Sequence, residues 1–320
     1  MPIETANMEV NVELMNELRG SRYMESACSA DSVTLYSLGE CYWAGKTAFC
    51  DEVVIAESPV YGKVLFLDKE IQSAESDEMI YHEHLVHPVL SATTHVPAKK
   101  VLIVGGGEGA TAREVLKWSA DQVSQVDWVD LDDGLVNLCR RHLSWADDSV
   151  YNDARVHYYA EDIRAFWRAN STRYDVIILD LPDPDVEDLK AFGISETNPD
   201  YPLYCRSFFR DLKEHLTEGG VYVSHTGPIA PGADAERWRP GMAWFQMLGR
   251  EYGFGAGSPY HVFLPSFQSE WGFWMSCVAP TAPTFPTGLA VMGTEACELA
   301  FRWAPHWVSP FVGVVGGASA

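Results

Sequence analysis

Basic side chains are scarce in this 320-residue chain: 23 Lys and Arg stand against 45 Asp and Glu, a formal charge of −22. That deficit argues against nucleic acid or an anionic membrane as partner, since their phosphates would be repelled, and suits a cationic ligand or plain solubility. Paired cysteines are missing too. The seven cysteines, at positions 28, 41, 50, 139, 205, 277 and 297, include no CxxC spacing, so neither a disulfide framework nor a zinc site is indicated. A reducing, cytoplasmic setting is expected, and no metal. No run approaches the roughly 20 apolar residues of a membrane span. The N-terminus carries acids without a continuous apolar core, unlike a secretory or transit signal. Internal repeats and low-complexity tracts are absent as well. With 47% hydrophobic residues, the chain can still bury a substantial core in one large or two modest domains.

Against that background, residues 101–110 stand out. Val101-Leu102-Ile103-Val104 reads as a buried parallel strand, Gly105, Gly106, Gly107 and Gly109 permit a tight turn with positive φ, and Thr111 to Trp118 has the composition of a helix. Such a unit builds a nucleotide pocket, or is simply the turn of any doubly wound protein. Gln125 to Leu131 reads as the next strand and ends near Asp130, about 20 residues on, where an acid meets a ribose in nucleotide-binding βαβ units. Val156 to Tyr159 and Tyr174 to Leu179 look like two more strands, running into Glu161-Asp162 and Asp180-Leu181-Pro182-Asp183-Pro184. Open α/β sheets bind ligands at the carboxyl ends of their strands, so Glu108, Asp130, Asp162, Asp180 and Asp183 should face one crevice. That crevice would repel a pyrophosphate. It would attract a sulfonium nucleoside with a polyamine beside it.

The expected fold is therefore α/β, a Rossmann-like, class I methyltransferase-type doubly wound sheet preceded by a small antiparallel β domain. Residues 1–30 read as an N-terminal extension, 31–95 as the β-rich domain with its linking helix, 96–280 as the nucleoside-binding catalytic domain and 281–320 as a tail. Short β-rich runs at 32–38, 52–58 and 62–68 support the small sheet. Residues 76–93 read as a helix despite Pro88, 203–216 as another, and 220–225, 260–264 and 272–277 as strands. The acidic stretch from Asp185 to Pro202 reads equally as a lid or as a passive surface insertion.

Three blocks in fixed order carry a family resemblance: Tyr61-Gly62-Lys63-Val64-Leu65 through Asp68, Ile71 to Glu78 and Tyr81-His82-Glu83; then the glycine block; then Asp180 to Pro184. Over about residues 30 to 280 the chain resembles the spermidine synthase family of polyamine aminopropyltransferases, and within it the thermospermine synthase-like branch. The resemblance implies transfer of an aminopropyl group from decarboxylated S-adenosylmethionine to a di- or polyamine, with release of 5′-methylthioadenosine. It implies Asp180 as the base, Tyr81 as the group positioning the attacking amine and Asp183 as an amine ligand. Gln72 and Glu108 would surround the aminopropyl chain, Asp130 would bind the ribose and Asp162 the adenine amino group, above the Gly105 and Gly107 turn. His82, Tyr204 and Trp271 would touch the amine. Each has an ordinary alternative: Asp180, Gln72, Glu108, Asp130 and Asp162 as caps or turn residues, Tyr81 as a partly buried helix tyrosine, His82 as an exposed ion pair with Glu83, Tyr204 and Trp271 as core. A homodimer or homotetramer is implied by the family alone.

The chain departs from the family pattern in places. Phe49-Cys50-Asp51 stands where a Tyr-Gln-Asp step is usual, His225 replaces a late glutamine, and the stretch after Pro184 lacks the usual Gly-Pro. These departures leave room for two other readings: a relative that uses intact S-adenosylmethionine, for transfer to a specialised amine or for cyclisation, with Lys46 or a reshaped pocket accommodating the donor carboxylate; or a non-catalytic homologue that binds polyamine or nucleoside.

Overall fold

The computed structural model describes residues 8–25, 33–184, 202–230, 240–255 and 257–303. The acidic stretch after Pro184, up to residue 201, and the tail beyond 303 lie outside them.

The first unit is a five-stranded antiparallel sheet in the order β1-β4-β5-β6-β7, built from β1 (Glu9–Val10), β4 (Cys41–Lys46), β5 (Val53–Ser58), β6 (Gly62–Leu67) and β7 (Glu70–Ala74). Helix α1 (Val12–Leu18) and a separate hairpin of β2 (Arg22–Met24) and β3 (Leu35–Ser37) cover it. Tyr23, Tyr36, Val54, Val64 and Phe66 fill the space between them. Strands β4 and β7 were not among the expected runs. In β4 the apolar pattern is broken at Gly45, where a Cβ would lie 2.0 Å from the Glu9 carbonyl oxygen. The glycine is what lets β1 pair there, so the residue that looks like a strand breaker in the sequence closes the sheet edge.

Helix α2 (Glu78–Ala92) links the two units and runs through Pro88 without stopping. It is buried nearly all round, with His82, Glu83, His84 and His87 inside. Fully buried Glu83 accepts bonds from the backbone N–H groups of Ala290, Val291 and Met292 at 2.6, 2.9 and 2.7 Å, which straps a segment some 200 residues distant onto α2. The buried carboxylate satisfies three donors at once, of which the Met292 N–H is itself buried.

The second unit alternates strand and helix: β8 (Lys99–Gly105), α3 (Ala110–Leu116), β9 (Val123–Asp130), α4 (Asp133–His142), α5 (Asp148–Tyr151), β10 (Val156–Ala160), α6 (Ile163–Ala169), β11 (Tyr174–Asp180), α7 (Arg206–Glu214), β12 (Leu216–Ile229), α8 (Pro240–Glu251), β13 (Ser258–Leu264), β14 (Ser269–Met275) and α9 (Thr294–Ala300). The sheet runs β10-β9-β8-β11-β12-β14-β13, parallel except that β14 is antiparallel to both its neighbours. Buried on both faces, its strands are continuous Val/Ile/Leu runs such as Val101–Val104 and Val176–Leu179, which is why they were legible. Strand order reverses between β8 and β11, whose ends meet with Asp180 opposite Gly105. That reversal opens a crevice above the strand ends.

Candidate active site

The crevice is a cavity of about 870 Å³ lined by Gln72, Tyr81, the glycine turn, Glu108, Asp130, Asp162, Asp180, Asp183 and Trp271. All five acids expected to share it do so. Glu25, Glu70, Asp132 and Glu161 add to the wall. Arg164, the one Lys or Arg among the described lining residues, is ion-paired with Asp162. The field inside is therefore strongly negative, in a space where low dielectric strengthens it.

Asp180 ends β11 at the floor. The Tyr81 hydroxyl donates to its Oδ1 at 2.8 Å and the Thr111 hydroxyl to its Oδ2 at 2.5 Å, so both oxygens are oriented and each keeps a lone pair for a further donor. Burial, then the Asp180 charge, hold the Tyr81 pKa well above the usual tyrosine value, so this hydroxyl is a donor and not a base. The glycines are shaped around Asp180. A Cβ at Gly105, whose φ is +81°, would lie 2.1 Å from the Asp180 carbonyl oxygen, and Gly106 donates its N–H to that oxygen at 2.8 Å. Gly105, Gly106 and Gly109 adopt the positive φ expected of them; Gly107 does not. Its role is space, since a Cβ there would stand 3.2 Å from Asp130 Oδ2.

Asp130 ends β9 with one oxygen accepting the Asp132 N–H at 2.8 Å. Burial pushes its pKa up to about 7; that N–H opposes the rise, while Asp132, Asp180 and Glu108 add to it. Glu108 is likewise raised, by burial first, with His82 opposing and Asp180 reinforcing. Asp162 caps α6 through the Arg164 N–H at 2.7 Å and also takes the Arg164 Nε–H at 2.9 Å, interactions that hold its pKa down. The capping role thus coexists with a place on the wall. Gln72, on β7, faces the same space, its amide donating only a long bond, 3.4 Å, to the Glu70 carbonyl.

Two of the expected amine contacts are not on the wall. His82 is 1% exposed and lies behind it, its Nδ1 bonded to Glu78 at the carbonyl (2.7 Å) and carboxylate (3.1 Å), its Nε2 3.4 Å from Glu108 Oε2. The expected exposed pair with Glu83 does not form, because Glu83 turns toward residues 290–292. Burial alone would lower the His82 pKa, yet Glu108 and Glu78 raise it well above the usual value, so the ring is an imidazolium clamped between two carboxylates. Arg113 in turn grips Glu78 at 2.9 and 2.8 Å. Tyr204, 2% exposed, packs between Phe208 and Phe245 in the core. Trp271 does line the cavity and stacks on His225 with ring centroids 6.0 Å apart and planes 18° apart.

Asp183 sits deep among protein atoms, which raises its pKa while His225 lowers it. Its side chain is still 45% exposed through the open mouth, so water moderates the rise. Cys50 and Phe49 line the rim, but Lys46 is paired with Glu9 at 3.0 Å and contributes nothing to the wall. Sequence reasoning missed Thr111, whose partnership spans 69 residues and leaves no local signal.

A family profile described as the spermine/spermidine synthase domain matches residues 78–284. A polyamine aminopropyltransferase of Pseudomonas aeruginosa is 38% identical over 239 residues, 75% of this chain and 62% of that protein. One from a Synechococcus strain is 35% identical over 237 residues, 73% of this chain and 70% of the other. A thermospermine synthase of Arabidopsis thaliana is 32% identical over 72% of this chain and 62% of its own length. The chain thus spans less than two thirds of the Pseudomonas and Arabidopsis proteins. The crystal structure of spermidine synthase from Thermotoga maritima superposes with a TM-score of 0.71 at 23% identity, covering 96% of this chain and all of that one. A spermidine synthase in complex with the transition-state analogue AdoDATO gives 0.73 at 24% identity, covering 95% and 99%. At these identities the structures establish the fold, and it is the one expected.

Proposed function

Because the chain belongs to the spermine/spermidine synthase family, we propose that it transfers an aminopropyl group from decarboxylated S-adenosylmethionine to an amine of a di- or polyamine. The observation that carries this reading is the Asp180 carboxylate, steered by Tyr81 and Thr111 into a cavity whose described lining offers no unpaired Lys or Arg. In the reaction a neutral amine nitrogen forms a bond to the carbon beside the sulfonium. The C–S bond breaks with its electron pair going to sulfur, and the nitrogen's proton passes to Asp180. Two costs are removed: the amine is deprotonated where it attacks, and the partners are held in line.

The remaining assignments follow the walls. Asp130 takes the ribose diol beside Gly107, Asp162 the adenine amino group, and Glu108 with Gln72 the charged end of the donor. Tyr81 orients the attacking nitrogen and Asp183 holds another. His82 is a positioning residue: its imidazolium fixes Glu108 from behind. An intact S-adenosylmethionine would bring a carboxylate against Glu108, and Lys46, tied to Glu9, is not placed to offset it. The decarboxylated donor is favoured on that ground.

Incubation with each donor and a panel of amines, followed by mass spectrometry, tests this. Equimolar methylthioadenosine and aminopropylated amine, formed only from the decarboxylated donor, are expected. Methylthioadenosine released from the intact donor without any amine would instead establish the cyclising chemistry.

Asp130 adds a pH dependence. With a folded pKa of about 7 against an ordinary value near 4, the free protein holds a proton there that a diol-binding carboxylate must give up. Nucleoside affinity is therefore expected to rise between pH 6 and about 8, with proton release on binding. The sign for stability is opposite: a raised carboxyl pKa stabilises the fold most below about pH 4, and that contribution is lost as pH climbs to about 7. Calorimetry of methylthioadenosine binding across this pH range, in two buffers of different ionisation enthalpy, checks the affinity change and the proton release. Affinity that is flat across this range, with no proton released, removes Asp130 from the ribose.

A further inference from the structure

The way His82 meets the acidic wall suits more than a fixed ion pair. Its Nδ1 lies 2.7 Å from the Glu78 carbonyl oxygen, which only accepts, so Nδ1 carries a hydrogen whatever the charge of the ring. The atom left to face the wall is Nε2. It belongs to a ring 1% exposed, makes no hydrogen bond among the described residues, and lies 3.4 Å from Glu108 Oε2. Asp180 completes a triangle, with one ligand atom each from His82, Glu108 and Asp180 lying within 4.8 Å of the other two.

We propose that these three side chains form a binding site for a borderline divalent cation of the Zn²⁺ type, and that the ion, once there, excludes the donor's charged end. A tetrahedral zinc with bonds of about 2.05 Å has ligand-to-ligand edges of about 3.3 Å. The His82–Glu108 separation already matches one edge. Glu108 and Asp180 both border the cavity, so rotation of their carboxylates closes the other two and leaves the fourth position to water. The support behind the ligands is also of the kind a metal needs. A ligating imidazole is normally fixed by its other N–H on a carbonyl or carboxylate, and His82 has both on Glu78, the carboxylate at 3.1 Å. Arg113 grips Glu78, while Tyr81 and Thr111 hold Asp180 and leave each of its oxygens a lone pair. Charge balances as well. Two carboxylates neutralise the ion, and the proton that an imidazolium carries on Nε2 leaves to solvent as the metal takes its place. The nitrogen ligand selects against Mg²⁺ and Ca²⁺, which prefer oxygen. The exclusion of the donor rests on the transferase reading, which sets the aminopropyl ammonium against Glu108 and the attacking nitrogen against Asp180.

Zn²⁺ titrated into the full, metal-free chain should bind with a Kd of about 1 μM or tighter, and Mg²⁺ in large excess should not displace it. Co²⁺ in its place should give the intense visible absorption of a four-coordinate site, a readout independent of turnover. His82→Gln should weaken Zn²⁺ binding about 100-fold or more, since loss of an outer partner alone costs up to that much. In the wild type, where no variant can misfold, the ¹⁵N resonance of one histidine Nε2 should shift when Zn²⁺ is added. Bound Zn²⁺ should weaken decarboxylated S-adenosylmethionine about tenfold or more, while methylthioadenosine, which lacks the charged end, should still bind within about threefold of its metal-free affinity. No binding at about 100 μM Zn²⁺, full Zn²⁺ affinity in His82→Gln, or an equal loss of affinity for both nucleosides would each overturn the proposal. If Zn²⁺ binds as described but the metal-free protein releases no methylthioadenosine from the decarboxylated donor, the metal site stands and the transferase reading falls.

Discussion

Replacement of Asp180 by Asn should lower kcat for transfer by about 10²–10⁴-fold, the range expected for loss of a general base. The substitution is nearly isosteric, and the hydrogen bonds around it can persist. Tyr81 would continue to donate to the remaining oxygen, while the Thr111 hydroxyl, both donor and acceptor, can turn to accept from the new amide. The floor of the cavity therefore keeps its shape, and methylthioadenosine affinity should stay within about twofold. Thr111→Ala should cost far less than Asp180→Asn, since it removes an orienting bond and leaves the proton acceptor. Steady-state kinetics beside calorimetric binding separates these effects. Equal turnover in the wild type and Asp180→Asn would show that the proton leaves by another route.

Glu83→Ala should destabilise the fold by about 3 kcal/mol, because it empties a fully buried acceptor site, leaves the Met292 N–H buried without a partner and frees the part-buried Ala290 and Val291 N–H groups. The bonds at 2.6–2.9 Å from Ala290, Val291 and Met292 all end on this one carboxylate, and Lys117 Nζ stands 3.5 Å away to balance its charge. Glu83→Gln keeps one acceptor oxygen and should lose less. The midpoint of urea unfolding reads the difference, and an unchanged midpoint in Glu83→Ala would mean that the strap bears no load. Because the strap grips the helix that carries Tyr81, a loosened segment should also blur amine positioning and raise KM for the acceptor.

How much of this was legible in the sequence depended on the range of the physics. The strand Val101–Val104, the glycine turn and the acids at the strand ends are local signals. A run buried on both faces must be apolar throughout, and a turn where a Cβ would come 2.1 Å from a carbonyl oxygen must lack one, so the sequence shows both. Gly107 looked like its neighbours but differs in kind: it clears room for Asp130, and only the fold reveals that. The partners of His82 and Glu83 could not be read. On a helix, residue 82 is adjacent to 78 and faces whatever packs against it, here Glu108 on the glycine turn, whereas Glu83 points to a segment about 200 residues away. Strand β4 was hidden for a related reason: its glycine serves a pairing with Glu9 and Val10 that no local pattern announces. The acids near the mouth were thus predictable as a group, and the roles of the groups behind them were not.

The electrostatic claim can be tested most directly by calorimetry with three compounds that share one nucleoside: decarboxylated S-adenosylmethionine, intact S-adenosylmethionine and methylthioadenosine. Their side chains carry net charges of two, one and zero. A wall lined with carboxylates predicts that the decarboxylated compound binds most tightly, by about tenfold or more over the intact one, with the gap shrinking as salt is added. Equal affinity for all three, or tighter binding of the intact compound, would contradict it.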